Sequence, residues 1–246
     1  RHSMSEHRIG TQTEWKAERD ELLKDEKELT RRSDELAQKR RELPWVPVEK
    51  DYRFETADGE KTLAELFDGR SQLVIYHFMF GPGWTGGCPV CSSIADTLAP
   101  QAAHMKARDT TLLLVSRAAI TDLLAYRGRM GWPIEWVSTG TEFNRDLGFF
   151  NTEEELAPFL AGPIPLTVEQ NARMCGTDAK GYVTEGPGLS VFALDGGAVH
   201  RTYMGTARGL EFAMAYYGVL DRTPRGRDES ATEPMWVRRH NEYQAG

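Results

Sequence analysis

The stretch Leu73-Val74-Ile75-Tyr76-His77-Phe78-Met79-Phe80, the turn Gly81-Pro82-Gly83-Trp84-Thr85-Gly86-Gly87 and the motif Cys88-Pro89-Val90-Cys91 decide how this chain folds. A continuous β-branched and aromatic run reads as a fully buried strand, and the glycine-rich turn marks its end. The two thiols then stand where a helix opens. The first backbone N–H groups of a helix are unpaired and its dipole is positive there, so a thiolate at Cys88 is favoured and its pKa lowered. Cys91 lies one turn further in, within reach of Cys88. Oxidised, the pair closes a small disulfide; reduced, it attacks one in a partner.

The text on either side follows a βαβ rhythm. Residues 92–108 have helical composition, Thr110–Ser116 reads as a second buried strand, and Ile120–Met130 as a helix stopped at Gly131 ahead of Pro133. A parallel pairing of 73–80 with 111–116 through a right-handed crossover follows. A short third strand is expected at 134–137 and a helical turn at 141–147. Further on, 189–194 and 199–203 flank Gly196-Gly197 as an antiparallel hairpin, and 209–220 forms a last helix. Upstream, Val46, Val48, Tyr52 and Phe54 lead to a turn at Asp58-Gly59 and a short helix at 62–67. Residues 149–186, with Pro158, Pro163 and Pro165, show no sustained period and are expected to be a long irregular insertion of the kind that forms lids and binding loops.

With 246 residues and 40% hydrophobic content, the chain suffices for one sizeable core. Its 30 basic and 37 acidic residues leave a net charge of -7, which argues against nucleic acid or an anionic membrane as partner. No apolar run approaches the ~18 residues of a membrane span. Arg1 to Met4 read as a vector remnant ahead of a native start, and a cytoplasmic location is expected. Three cysteines, two of them paired, suit a redox or metal motif rather than a secreted disulfide framework. Residues 5–44 form an N-terminal arm in which Trp15, Leu22, Leu29, Leu36 and Leu43 recur every seventh position on a helix that ends before Pro44. The second apolar row of a coiled coil is missing, because Arg19, Glu26, Ser33 and Arg40 occupy it. The expectation is a helix laid across its own domain, residues 45–222. The rival is a homodimer contact through the same stripe. From 223 to 246 a polar tail follows, with Trp236 as its only large anchor.

The order βαβ, hairpin, helix, with a dicysteine after the first strand, resembles the thioredoxin fold over residues 46–221. The segments "LPWV", "EKDYRFE", "YHFMFGP", "GCPVC", "RMGW", "PGLSVFA", "RGRDE" and "WVRRH" resemble, more narrowly, a bacterial thioredoxin-like family of unknown function, DUF899, over nearly the whole chain. The resemblance implies an α/β, thioredoxin-like fold with a central mixed sheet flanked by helices. It also implies a cis-proline facing the dicysteine, and Pro187 stands at that point. Pro187, Trp84 and Pro89 would then shape a substrate groove beside Cys88 and Cys91. The chain departs from thioredoxin in carrying Gly87 before the first cysteine, and Pro89 gives the motif a glutaredoxin pattern.

The central strand offers no carboxylate as proton acceptor, which leaves His77 either as a neutral acceptor for the Cys91 proton or as a core histidine bonded to backbone. Thr85 fits the peroxiredoxin spacing to Cys88, but Pro82 is one residue too close to it, so a peroxidase reading is weakened. One CxxC supplies two of four metal ligands; His77, His104, Cys175 and His200 stand at no ligand spacing, and no metal or other cofactor is expected. Cys175 is either free or a resolving thiol, should the insertion fold over the site. Arg117, Arg201 and Arg208 are either surface charges or sources of positive potential near Cys88. The leading expectation is a thiol–disulfide oxidoreductase acting on a protein or small-molecule thiol or disulfide. The alternatives are a peroxiredoxin-like peroxidase using Cys88 and a redox-inactive binding module.

Overall fold

A computed structural model describes residues 7–229 and 236–243, and Arg1 to Met4, expected above to be a vector remnant, lie outside the described residues. Helix α1 (Gln12–Arg41) opens with a capping box between Thr11 and Glu14 and closes on Lys39, Arg40 and Arg41, both ends complementing the helix dipole. Strands β1 (Val46–Pro47), β2 (Arg53–Thr56) and β3 (Gly59–Thr62) precede the central strand β4 (Gln72–His77). Then come α2 (Pro89–Leu98), α3 (Ala102–Lys106), β5 (Thr110–Ser116), α4 (Ile120–Met130), β6 (Glu135–Thr139) and α5 (Thr141–Asp146). The remainder is α6 (Ala157–Leu160), α7 (Leu166–Cys175), α8 (Ala179–Thr184), the hairpin β7 (Gly188–Asp195) and β8 (Ala198–Gly205), and α9 (Ala215–Leu220). No helix among the described residues is long and apolar enough to cross a membrane.

The strands form one mixed sheet in the order β1-β8-β7-β4-β5-β6-β2-β3. β4 pairs in parallel with β5, from Gln72 opposite Thr110 to His77 opposite Val115, and antiparallel with β7, from Gln72 opposite Ala193 to His77 opposite Gly188. β6 extends the parallel half. A βαβα half thus meets a terminal β-hairpin on the central strand, which is the thioredoxin-like topology. Successive side chains of β4 point to opposite faces. Tyr76 joins the core that includes Leu112, Leu114, Trp136 and residues of α2 and α4, whereas Leu73 and Ile75 join Phe54, Leu113, Val115, Phe143 and Phe192 on the other side, where the His77 ring lies against Phe143.

Several boundaries differ from the sequence reading. The central strand stops at His77 rather than Phe80, because β5 ends at Ser116 and the next residues bond individually, Phe78 N–H to the Val115 carbonyl and the Phe80 carbonyl to Ala118 N–H. The helix expected over 92–108 is broken by a 3-10 turn, Ala99–Gln101, where Pro100 lacks an N–H. Residues 149–186 are not irregular: they hold α6, α7 and α8. The signals were local, with Pro165 just before the first residue of α7, left-handed Gly176 just after its last, and an Asp178 side chain capping α8 through Gly181 N–H. The last helix is split into a 3-10 turn, Ala207–Ala213, and α9.

The arm does not lie on its own domain. No residue of α1 is buried, and Trp15, Leu22, Leu29, Leu36 and Leu43 are each at least 45% exposed. Its contact with the sheet is at the base, where the Arg40 guanidinium stands 5.6 Å over the Tyr203 ring.

Candidate functional site

Cys88 is the N-cap of α2 and Pro89 its first helical residue, where a missing N–H costs nothing. The Cys88 N–H is held by the Met79 carbonyl at 3.0 Å, and its own carbonyl accepts from Ser92 N–H and Ser92 Oγ, both at 2.9 Å. Gly87 is required by close packing, since a Cβ there would collide with the Phe78 ring. The bulky residue that thioredoxins carry at this point has no room.

Both thiols are buried, each 1% exposed. What covers Cys88 is α8. The Tyr182 hydroxyl lies 3.2 Å from Cys88 Sγ, and the Trp84 ring stacks on the Tyr182 ring at 5.7 Å and 17°. Burial works against a Cys88 thiolate, but the Cys91 thiol, the Tyr182 hydroxyl and the N–H groups of Cys91 and Val90 outweigh it and bring the Cys88 pKa down to about 7. Burial, and then the neighbouring Cys88, push Cys91 far up. The two thiols are therefore split into an easily ionised Cys88 and a Cys91 that holds its proton. Tyr76 sits beneath Cys91, its buried hydroxyl without a hydrogen bond of good geometry.

His77 faces the opposite side of the sheet. Its Nδ1–H donates to Asn144 Oδ1 at 2.9 Å, its Nε2 accepts from Ser190 Oγ at 2.7 Å, and its ring lies against Phe149 and Phe143. Burial lowers its pKa to about 3, against a raising contribution from Asn144. It is a neutral core histidine bonded to side chains rather than backbone, and strand alternation keeps it from Cys91. Pro187 is half-buried at the entry to β7, and its peptide bond is trans, not cis. Thr85, the residue of the peroxidase spacing, donates its N–H at 2.9 Å and its hydroxyl at 3.4 Å to the Cys175 carbonyl rather than to Cys88. Among the described residues no group of three or more His, Cys, Asp and Glu side chains is arranged to hold a metal.

The model of the family described as "Bacterial protein of unknown function (DUF899)" matches residues 4–243. The chain belongs to DUF899. A comparison with curated proteins found no match. Among solved structures, the DUF899 chain is similar to a peroxiredoxin Q mutant from Xanthomonas campestris, at 13% identity and TM-score 0.45, over 72% of this chain and 98% of that one. A PrxQ mutant from Xylella fastidiosa gives 10% identity and TM-score 0.44, over 71% and 94%. A thiol:disulfide interchange protein from Bacteroides sp. gives 12% and 0.37, over 78% and 99%.

The C-terminal segment of this DUF899 protein supplies residues that the sequence reading missed. Val237 and Arg239 are buried. Arg239 Nε and Nη2 donate to the Gly87 carbonyl at 3.1 and 2.7 Å, Nη2 also to the Met174 carbonyl at 2.8 Å, and Nη1 pairs with Glu242 at 2.6 Å. His240 and Trp132 Nε1 both donate to Asp96 Oδ1 of α2 at 2.7 Å. Trp236 packs on Tyr216 and Tyr217, so it is one anchor of several. The "WVRRH" segment thus clamps the turn that presents Cys88. Arg117 is no free surface charge: it pairs with buried Glu185 at 2.7 Å and lies over Phe150. Arg201 sits on β8 opposite Val46, and the Arg208 side chain lies outside the described residues.

Proposed function

We propose that this protein is a thiol–disulfide oxidoreductase in which Cys88 attacks and Cys91 resolves. The observation that supports it is the split between the two thiols, with Cys88 brought down to about 7 at the start of α2 under the Tyr182 hydroxyl while Cys91 is pushed up. In the first step the Cys88 thiolate displaces one sulfur of a substrate disulfide, forming a mixed disulfide and releasing a substrate thiolate. In the second, Cys91 loses its proton and attacks Cys88 Sγ. The second substrate sulfur leaves and takes up a proton, and the substrate has gained two electrons while the pair has become a disulfide. Tyr182 holds the Cys88 thiolate by its O–H. Trp84, Pro89 and Pro187 border the approach, and the exposed rim Pro82, Gly83 and Thr85 is where a substrate first meets the protein. The substrate is a protein or small-molecule disulfide, and a reducing cytosol suits such a pair.

The test is disulfide reduction with a dithiol donor. Cys88→Ser abolishes it, and a variant that keeps Cys88 as its only cysteine leaves substrate trapped there; turnover by Cys88→Ser contradicts the reading. The burial of Cys88 favours, as a second reading, a redox-inactive binding module, in which replacing both cysteines by serine leaves partner capture unchanged. The exposed stripe on α1 supports pairing with a second copy, because one patch repeated on two chains makes a closed isologous contact.

A further inference from the structure

Cys175 ends α7 with its thiol fully buried in the same core cluster as Cys88 and Cys91. Its backbone is laced to the dicysteine turn at two points. The Cys175 carbonyl accepts from Thr85 N–H, and a single Arg239 nitrogen bridges the carbonyls of Gly87 and Met174, the residues immediately before Cys88 and Cys175. Gly176 is pressed so closely on the Thr85 side chain that no Cβ fits there. The Tyr182 phenol feels the charge of all three thiols, Cys88 most strongly. Burial, then the neighbouring Cys88, push the Cys175 thiol up, and Arg239 opposes them only in part, so Cys175 holds its proton until it reacts.

We infer that Cys175 is a second resolving thiol, able to displace the group carried on Cys88 and close a Cys88–Cys175 disulfide. This rests on the reading of Cys88 as the attacking thiol. Cys175 gives up its proton, its sulfur bonds to Cys88 Sγ, and the bond from Cys88 to the substrate sulfur breaks. The departing thiolate takes the proton, so no further oxidant or reductant is needed. The same exchange starting from a Cys88–Cys91 disulfide returns Cys91 as a thiol. The insertion would then supply a redox group as well as cover the site.

The experiment treats full-length Cys91→Ser and Cys91→Ser/Cys175→Ser with oxidised glutathione, quenches with acid, alkylates under denaturing conditions and maps peptides without reduction. The double variant accumulates a glutathione adduct on Cys88. The single variant loses that adduct and yields a peptide joining Cys88 to Cys175. A stable adduct in the single variant, with Cys175 free to alkylate, overturns the inference and leaves the function of Cys88 standing. No adduct in the double variant together with no Cys88–Cys175 peptide in the single variant overturns the attacking role of Cys88 and this inference with it. Should Cys91→Ser not fold, Cys91→Ala, which keeps the buried position apolar, gives the same comparison.

Discussion

Cys88 Sγ and the Tyr182 hydroxyl are 3.2 Å apart across 94 residues of chain, and α8 is the element that brings them together. A hydrogen bond to an ionised group contributes about 1.5–3 kcal/mol, and about 1.4 kcal/mol moves a pKa by one unit. Tyr182→Phe should therefore raise the Cys88 pKa by at least about one unit and slow its alkylation at neutral pH several-fold. The pH dependence of the alkylation rate reads this directly. An unchanged profile would mean that the phenol does not hold the thiolate.

His77 gives a prediction of opposite kind. Its folded-state pKa of about 3 lies below the ordinary 6.5, so between these values the unfolded chain binds the extra proton. Stability from a neutral His77 is complete above pH 6.5 and is lost as the pH falls toward 3, with a slope of up to about 1.4 kcal/mol per pH unit. Urea unfolding across that range should show the slope in the native protein and lack it in His77→Gln. Because His77 faces away from the thiols, the same variant should leave the Cys88 titration where it was. A displaced titration would restore His77 as proton acceptor.

Arg239 clamps the turn ahead of Cys88. Arg239→Ala strips donors from the Gly87 and Met174 carbonyls and leaves Glu242 without this partner. The expected loss is on the order of 3 kcal/mol, seen as a lower melting temperature, with faster alkylation of Cys88 in the native state. Arg239→Lys keeps the charge but not the fork, and should recover only part of the loss. Native-like stability in Arg239→Ala would show the clamp to be dispensable.

The exposed arm stripe predicts association. In sedimentation the native protein should be a dimer, and Leu22→Glu/Leu29→Glu a monomer. Since α1 buries nothing in its own domain, the core should unfold within about 0.5 kcal/mol of the parent. A native monomer would remove the pairing.

Which features the sequence disclosed follows from how local their causes are. Leu73 to Phe80 and Thr110 to Ser116 are runs whose composition alone marks buried parallel strands, and Cys88-Pro89 at a helix start is a local signal too. The arm's helix was legible for the same reason, but its packing was not, because a single apolar row is compatible with its own domain or a second copy. Tyr182, Asn144, Ser190 and Arg239 reach the site or its neighbours over large sequence separations; Ser190 and Arg239 lie in the quoted segments "PGLSVFA" and "WVRRH", but nothing local gives their role. Alternation along β4 did hold one unused clue: Tyr76 and His77 cannot face the same side, so only one of them can sit with Cys91. The helices of 149–186 were hidden by their shortness and by three prolines, although Pro165 and Gly176 bracket α7 in the pattern of helix ends.

The most direct measurement is the ultraviolet thiolate absorbance of the reduced protein against pH, taken alongside Cys88→Ser. The account predicts one thiol half-ionised near pH 7, absent from Cys88→Ser, with Cys91 and Cys175 still protonated. If no thiol titrates below the ordinary cysteine range of about 8.5, or if the low transition survives in Cys88→Ser, then Cys88 is not the activated nucleophile and the oxidoreductase reading is contradicted.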